Sequence, residues 1–115
     1  NSLFANNLSN RECNELASEV NSALSNMHID KVTIFENAFC PSNAKLIYNY
    51  KLTQDISQSE FEEVIADLKT KNITVWCSSP DLKDLIDVLD SVGFSYRNNI
   101  NSYLGEFEID KSYCY

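Results

Sequence analysis

Apolar positions along this chain recur with two different periods, and the switches between them mark its elements. Cys13, Leu16, Ala17, Val20, Leu24 and Met27 return at three- and four-residue steps, which places them on one face of a helix with Glu12, Glu15, Glu19 and Asn26 directed away. Ser9-Asn10-Arg11-Glu12 starts that helix as a capping box, in which the Ser9 hydroxyl and the Glu12 carboxylate satisfy amides left open at a helix start. Cys13 therefore points inward.

After His28-Ile29-Asp30, a turn, the pattern changes. Lys31 to Phe39 is rich in β-branched and aromatic residues and reads as a strand, followed by a turn at Cys40-Pro41-Ser42-Asn43. Ala44 to Leu52 alternates cleanly, with Leu46, Tyr48, Tyr50 and Leu52 on one face and Lys45, Ile47, Asn49 and Lys51 on the other. The two segments form an antiparallel hairpin with one buried face.

A second capping box, Ser57-Gln58-Ser59-Glu60, opens a helix whose apolar stripe is Phe61, Val64, Ile65 and Leu68 and which ends near Lys71-Asn72. Ile73, Val75 and Trp76 then read as a short apolar connector into Cys77, with Trp76 in the core. Ser79 is the expected N-cap of a third helix with Pro80 at its first position, where a missing amide costs nothing. Leu82, Leu85, Ile86 and Leu89 form its apolar face, and Gly93 is its expected stop. Phe94 to Ile100 and Tyr103 to Ile109 are the last two strands.

The predicted order is thus α-β-β-α-α-β-β, an α+β fold in which about three helices pack on an antiparallel four-stranded sheet. Tyr48, Tyr50 and Tyr96 fit the inward face, and Tyr103, Tyr113 and Tyr115 the exterior. Residues 9–115 form one domain, and 1–8 read as a flexible N-terminal segment or signal-peptide remnant. Ser2-Leu3-Phe4-Ala5 resembles the end of a secretory signal, with a small residue at the cleavage position and polar Asn6-Asn7 after it. No apolar run approaches the roughly 18 residues of a membrane span.

Charge narrows the partners. A net charge of -8 repels phosphate backbones, so nucleic acid is not expected and a protein with a basic surface is. The four cysteines contain no CxxC pair and His28 is the single histidine, so no zinc site is expected and two disulfides are. Disulfides imply an oxidising compartment, read here as the periplasm. Of the three possible pairings, Cys13 with Cys40 and Cys77 with Cys114 are favoured, because each ties a helix end to an adjoining strand end.

Catalytic chemistry finds little support. One histidine, paired cysteines and the absence of a G-x-S-x-G elbow exclude a nucleophilic triad, and two scattered glycines exclude a phosphate loop, so no enzyme activity and no cofactor are expected. Carboxylates are abundant at Glu60, Glu62 and Glu63, at Asp81, Asp84, Asp87 and Asp90, and at Glu106 and Glu108, all on faces that read as solvated. The Asp81 to Asp90 face and Glu106 with Glu108 are the candidate binding residues for a basic partner.

Cys77-Ser78-Ser79-Pro80, Leu85-Ile86, Gly93-Phe94-Ser95-Tyr96 and the terminal Cys114 resemble small exported bacterial α/β proteins, including type II secretion pilotins, over roughly the last third of the chain. In pilotins a helix-borne cysteine is tied to one near the C-terminus, so the resemblance also implies the Cys77 to Cys114 pair. Taken whole, the short, acidic, exported chain resembles periplasmic bacteriocin immunity proteins of the pesticin immunity type. That resemblance implies a cell-envelope-attacking toxin as ligand.

The first expectation is accordingly a non-enzymatic periplasmic immunity or inhibitor protein that neutralises a peptidoglycan-hydrolysing toxin. The second is a pilotin-like chaperone that receives an amphipathic helix of a secretin subunit. The second predicts an apolar groove lined by helices, the first an acidic contact surface.

Overall fold

The structure, a computed structural model, describes residues 7–115, so the signal-like Ser2-Leu3-Phe4-Ala5 lies outside the described residues. Helix α1 spans Asn10–Leu24 and opens with the expected capping box: the Glu12 amide donates to Ser9 Oγ at 3.1 Å and the Ser9 amide to Glu12 Oε1 at 2.9 Å. Met27, expected on its inner face, lies beyond the helix end and is exposed, because the chain turns at Asn26 with a φ of 58°.

Strands β1 (Thr33–Ser42) and β2 (Lys45–Leu52) form the predicted antiparallel hairpin. Its turn is shorter than expected: Cys40 to Ser42 stay in the strand, and Asn43-Ala44 reverses the chain with Ala44 at a φ of 57°. A bulge at Glu36 lets Phe35 and Ala38, three residues apart, both face inward. Asn21 of α1 covers the open edge of β1, accepting from the Ala38 amide at 2.7 Å and donating to the Ala38 carbonyl at 2.9 Å.

The segment read as two helices is three. Helix α2 (Gln58–Glu62) carries the second capping box, the chain breaks at Glu63-Val64, and α3 runs from Ile65 through Ser78. Ile73 to Trp76 are therefore helical, not a connector. The helical cost of β-branched Ile73, Thr74 and Val75 is a fraction of a kcal/mol each and is outweighed by burial of Trp76 beside the disulfide-bonded Cys77. Pro80 then forces Ser79 into the extended region and starts α4 (Pro80–Asp87).

Gly93 does not end that helix. It sits inside β3 (Ser91–Arg97), which precedes β4 (Tyr103–Ile109) and a final 3₁₀ turn, Lys111–Cys114. The observed order is α-β-β-α-α-α-β-β, with strands in the sequence β1-β2-β3-β4 across the sheet.

The sheet is mixed, not antiparallel. β2 and β3 run parallel in register, Tyr48 beside Phe94 and Tyr50 beside Tyr96, while the outer pairs are antiparallel. The reason lies in the connection: three helices between β2 and β3 give the chain enough length to cross back and re-enter in the same direction. One face of the sheet is covered. Phe35, Leu46, Tyr48, Tyr50, Phe94, Tyr96 and Phe107 meet Phe61 and Trp76 there, with Phe94 and Phe107 stacked at 5.0 Å and Tyr50 and Tyr96 at 5.2 Å.

Two disulfides pair as favoured, Cys13 with Cys40 and Cys77 with Cys114, at Cα separations of 6.0 and 5.2 Å. They close intervals of 27 and 37 residues, for which loop entropy predicts about 3.5 to 4 kcal/mol each. The Cys77→Ser/Cys114→Ser variant should therefore unfold in urea with about 3 to 4 kcal/mol less stability. Gly105 is a second sensitive point, since a Cβ there would lie 3.1 Å from the buried Phe61 ring that packs α2 on β4. Gly105→Ala should cost about 1 to 3 kcal/mol in the same assay, and no loss would show that Phe61 has room to move.

Candidate functional site

The carboxylates singled out in the sequence do not assemble into one site. Asp81 and Asp84 are exposed on α4. Asp87 accepts from the Tyr115 hydroxyl at 2.8 Å, and the same hydroxyl accepts from Lys83 Nζ at 2.7 Å. Asp90 accepts from the Asn7 amide at 2.7 Å. Glu106 and Glu108 alternate with buried Phe107 and Ile109 and so lie on the uncovered face of the sheet. There Glu106 accepts from the Tyr103 hydroxyl at 3.0 Å and Glu108 pairs with Lys45 at 3.0 Å. No group of residues suited to hold a metal ion occurs among the described residues.

What the structure does assemble is a trough between α3 and the start of β1. Its larger part, about 510 Å³, is walled by Asp30, Val32 and Thr33 on one side and by Val64, Leu68 and Lys71 on the other, with Leu52 and Phe61 below. A smaller part of about 240 Å³ shares Asp30, Thr33, Leu68 and Lys71 and extends it to Ile29 and Val75 over Tyr50 and Tyr96. The combined lining is mostly apolar, and three of its large aliphatic side chains stand open: Ile29 at 47%, Val64 at 43% and Val75 at 52% exposure. Exposed aliphatics grouped on one concavity are the usual mark of an interaction surface.

The elements explain the opening. α1 packs on β1 and α3 on β4, and α3 covers the central strands at Trp76, which leaves the trough at the other end of α3, facing the segment that leads into β1. Burial raises the phenols of Tyr50 and Tyr96, so the floor is uncharged at neutral pH, and it pushes neighbouring Tyr48 up to about 12. Charge is confined to the walls, where Asp30, Glu60 and Glu63 outnumber Lys71. Glu60 is held below the usual carboxylate range, chiefly by the Ser57 amide of its capping box.

Sequence reasoning placed Val64 and Leu68 on the apolar stripe of a helix and read Val75 as part of a connector, and it assigned none of them to a binding surface. A signal was present. Val64, Ile65, Leu68, Ile73, Val75 and Trp76 wrap around more of α3 than one contact with a sheet requires, so part of that surface is left over.

No protein-family model matches this chain, and no curated protein matches it in sequence. Solved structures match in fold. A Pseudomonas aeruginosa protein described as secreted superposes with a TM-score of 0.72 at 11% identity, over 92% of this chain and 96% of the other. The type II secretion system pilotin AspS from Vibrio cholerae gives 0.69 at 13% identity, over 91% of each chain. The type 2 secretion system pilotin EpsS from Vibrio vulnificus gives 0.64 at 12% identity, over 92% of this chain and 94% of that one. The likeness in fold spans 91–92% of the chain, not just its last third. These structures lend nothing to the immunity-protein resemblance. The disulfides and this fold agree with an exported protein, and no helix among the described residues is long and apolar enough to cross a membrane.

A pH dependence follows from the ion pair on the open face. The hydrogen bond from Lys45, helped by Ser91, holds the Glu108 carboxyl below its usual 4.5, and Ser112 does the same for Asp110 below 3.8. Carboxyls depressed in the folded state stabilise it at neutral pH and lose that contribution as pH falls below these values. The urea midpoint should therefore drop between pH 5 and pH 2.5. Lys45→Met should flatten part of that drop, by no more than about 1 kcal/mol because both partners are substantially exposed.

Proposed function

We propose that this chain is a non-enzymatic, pilotin-like periplasmic protein whose trough receives an apolar-faced segment of a secretin subunit. The observation that supports it best is the uncovered aliphatic lining of Ile29, Val64 and Val75 above an uncharged aromatic floor, in a chain with the pilotin fold. Such a surface costs solubility unless something covers it. The toxin-binding reading asks for one acidic contact face, whereas the candidate carboxylates divide between α4 and the far side of the sheet and several already have partners. Those acidic residues retain a role in this reading only as a long-range attraction for a basic partner.

The test is binding of purified oxidised protein to peptides tiling a secretin subunit of the source cell, read by surface plasmon resonance. Val64→Glu/Val75→Glu should weaken the best-bound peptide at least tenfold, since each substitution puts a charge against a desolvated apolar contact. Both positions are exposed, so the urea midpoint should stay within experimental error. Asp81→Asn/Asp84→Asn should change the affinity little. A failure of every peptide to bind, or equal binding by the glutamate variant, would overturn the reading.

A further inference from the structure

We infer that the smaller part of the trough is a site for a free, zwitterionic α-amino acid whose side chain is uncharged and hydrogen-bonding, glutamine being the model. This goes beyond the proposed function and does not rest on it. The first argument is an unmet hydrogen bond. Tyr50 is 9% exposed and Thr33 7%, both line this part of the trough, and neither hydroxyl has a hydrogen-bond partner among the described residues. The Tyr50 ring is enclosed by Phe35, Tyr48, Phe94 and Tyr96 at centroid distances of 6.0, 6.2, 6.4 and 5.2 Å, so its hydroxyl end is what meets the cavity. A hydroxyl buried without a partner costs free energy, and an occupant that donates and accepts would relieve both at once.

The second argument is charge. Asp30 and Lys71 stand on opposite walls of this part and are not paired with each other. Asp30 Oδ1 accepts from the Val32 amide at 2.8 Å, while Oδ2 has no partner among the described residues, and Lys71 makes no ion pair there. An ammonium set on Asp30 and a carboxylate set on Lys71 match the head group of an amino acid. A simple anion or cation meets one attraction and one repulsion, and a neutral sugar leaves both charges without a counter-charge.

Size agrees with both. A volume of about 240 Å³ lies below the roughly 300 to 1,000 Å³ of sites for drug-sized molecules and fits a small metabolite. With the head group between Asp30 and Lys71, the methylenes of the ligand pass apolar Leu68 and Val75, and its polar end reaches the Thr33 and Tyr50 hydroxyls. Burial above all, then Tyr96 and Tyr48, keeps the Tyr50 phenol in its neutral form, so it donates as well as accepts. A side-chain amide, with both donors and an acceptor, complements it.

Isothermal titration calorimetry of the oxidised chain with L-glutamine tests the site, and binding should show a Kd between about 10 μM and 1 mM. L-norleucine, which lacks the amide and leaves the hydroxyls buried and unpaired, should bind about tenfold more weakly. N-acetyl-L-glutamine amide, which keeps the side chain but neither charge, should also lose about tenfold. Tyr50→Phe removes the unmatched hydroxyl and keeps the ring, so it should weaken glutamine about tenfold while the urea midpoint holds or rises. Lys71→Met, at an exposed position, should weaken it about fivefold, and Lys69→Met, whose cation lies over Tyr113 instead, should leave it unchanged.

Absence of binding at about 10 mM glutamine, or norleucine binding as tightly as glutamine, would overturn the site. Tighter binding of D-glucose would overturn the assignment to a zwitterion. Affinity unchanged in both Tyr50→Phe and Lys71→Met would place the ligand elsewhere and overturn it equally. The norleucine comparison and Lys71→Met leave the core intact, so they decide the matter even where Tyr50→Phe fails to fold. None of these outcomes bears on the secretin peptides, whose binding is measured separately.

Discussion

The parallel, in-register pairing of β2 with β3 is the constraint on which the rest of this structure depends. It sets Tyr48 beside Phe94 and Tyr50 beside Tyr96, and these four rings make the centre of the core. Parallel neighbours cannot be joined by a tight turn, so the chain must leave the sheet after Leu52 and return at Ser91. Everything between, α2 to α4, is obliged to lie across the covered face. With α1 held to β1 by the Cys13 disulfide and by Asn21, the crossing helices settle toward β4. The trough is the space that remains between α3 and the segment that leads from α1 into β1.

The covalent ties act at the points where this arrangement is weakest. One joins α1 to the edge strand β1, and the other fastens the end of the chain to α3. A small domain with an uncovered sheet face and an open trough buries less apolar surface than a closed one of equal length. Constraining the unfolded chain offsets that deficit without filling the trough. Stability and an unfilled trough are thereby compatible in a domain of 115 residues.

Much of this was legible in the sequence, for reasons that are local. Both capping boxes, Pro80 at a helix start, the alternation of β2 and the span of β4 depend on neighbouring residues, and all were read correctly. Strand direction was not legible, because antiparallel order was assumed from the hairpin and no local feature of Ser91 to Arg97 says which neighbour it joins. Gly93 was taken for a helix stop on chemistry alone, though it lies beside Ile47 of β2, where a Cβ would come within 3.3 Å of the Ile47 side chain. The β-branched run at Ile73 misled because propensity is a weak term beside burial of Trp76. The trough itself depends on where α3 sits relative to the start of β1, a long-range fact that leaves only the over-wide apolar surface of α3 as its trace.

The acidic composition and the apolar trough first pointed to different functions, and the proposed function gives both to one partner. A net charge of -8 spread over α4, the sheet face and the trough walls attracts cations from any direction, with a reach of about 8 Å in physiological salt. Glu60, Glu63 and Asp30 stand on the walls of the mostly apolar trough. In the proposed reading electrostatics would govern the approach over the whole surface, while desolvation of Val64, Leu68 and Val75 would select where contact persists. The residues that make the chain acidic and those that would hold the partner are therefore largely different sets, overlapping only along the trough walls.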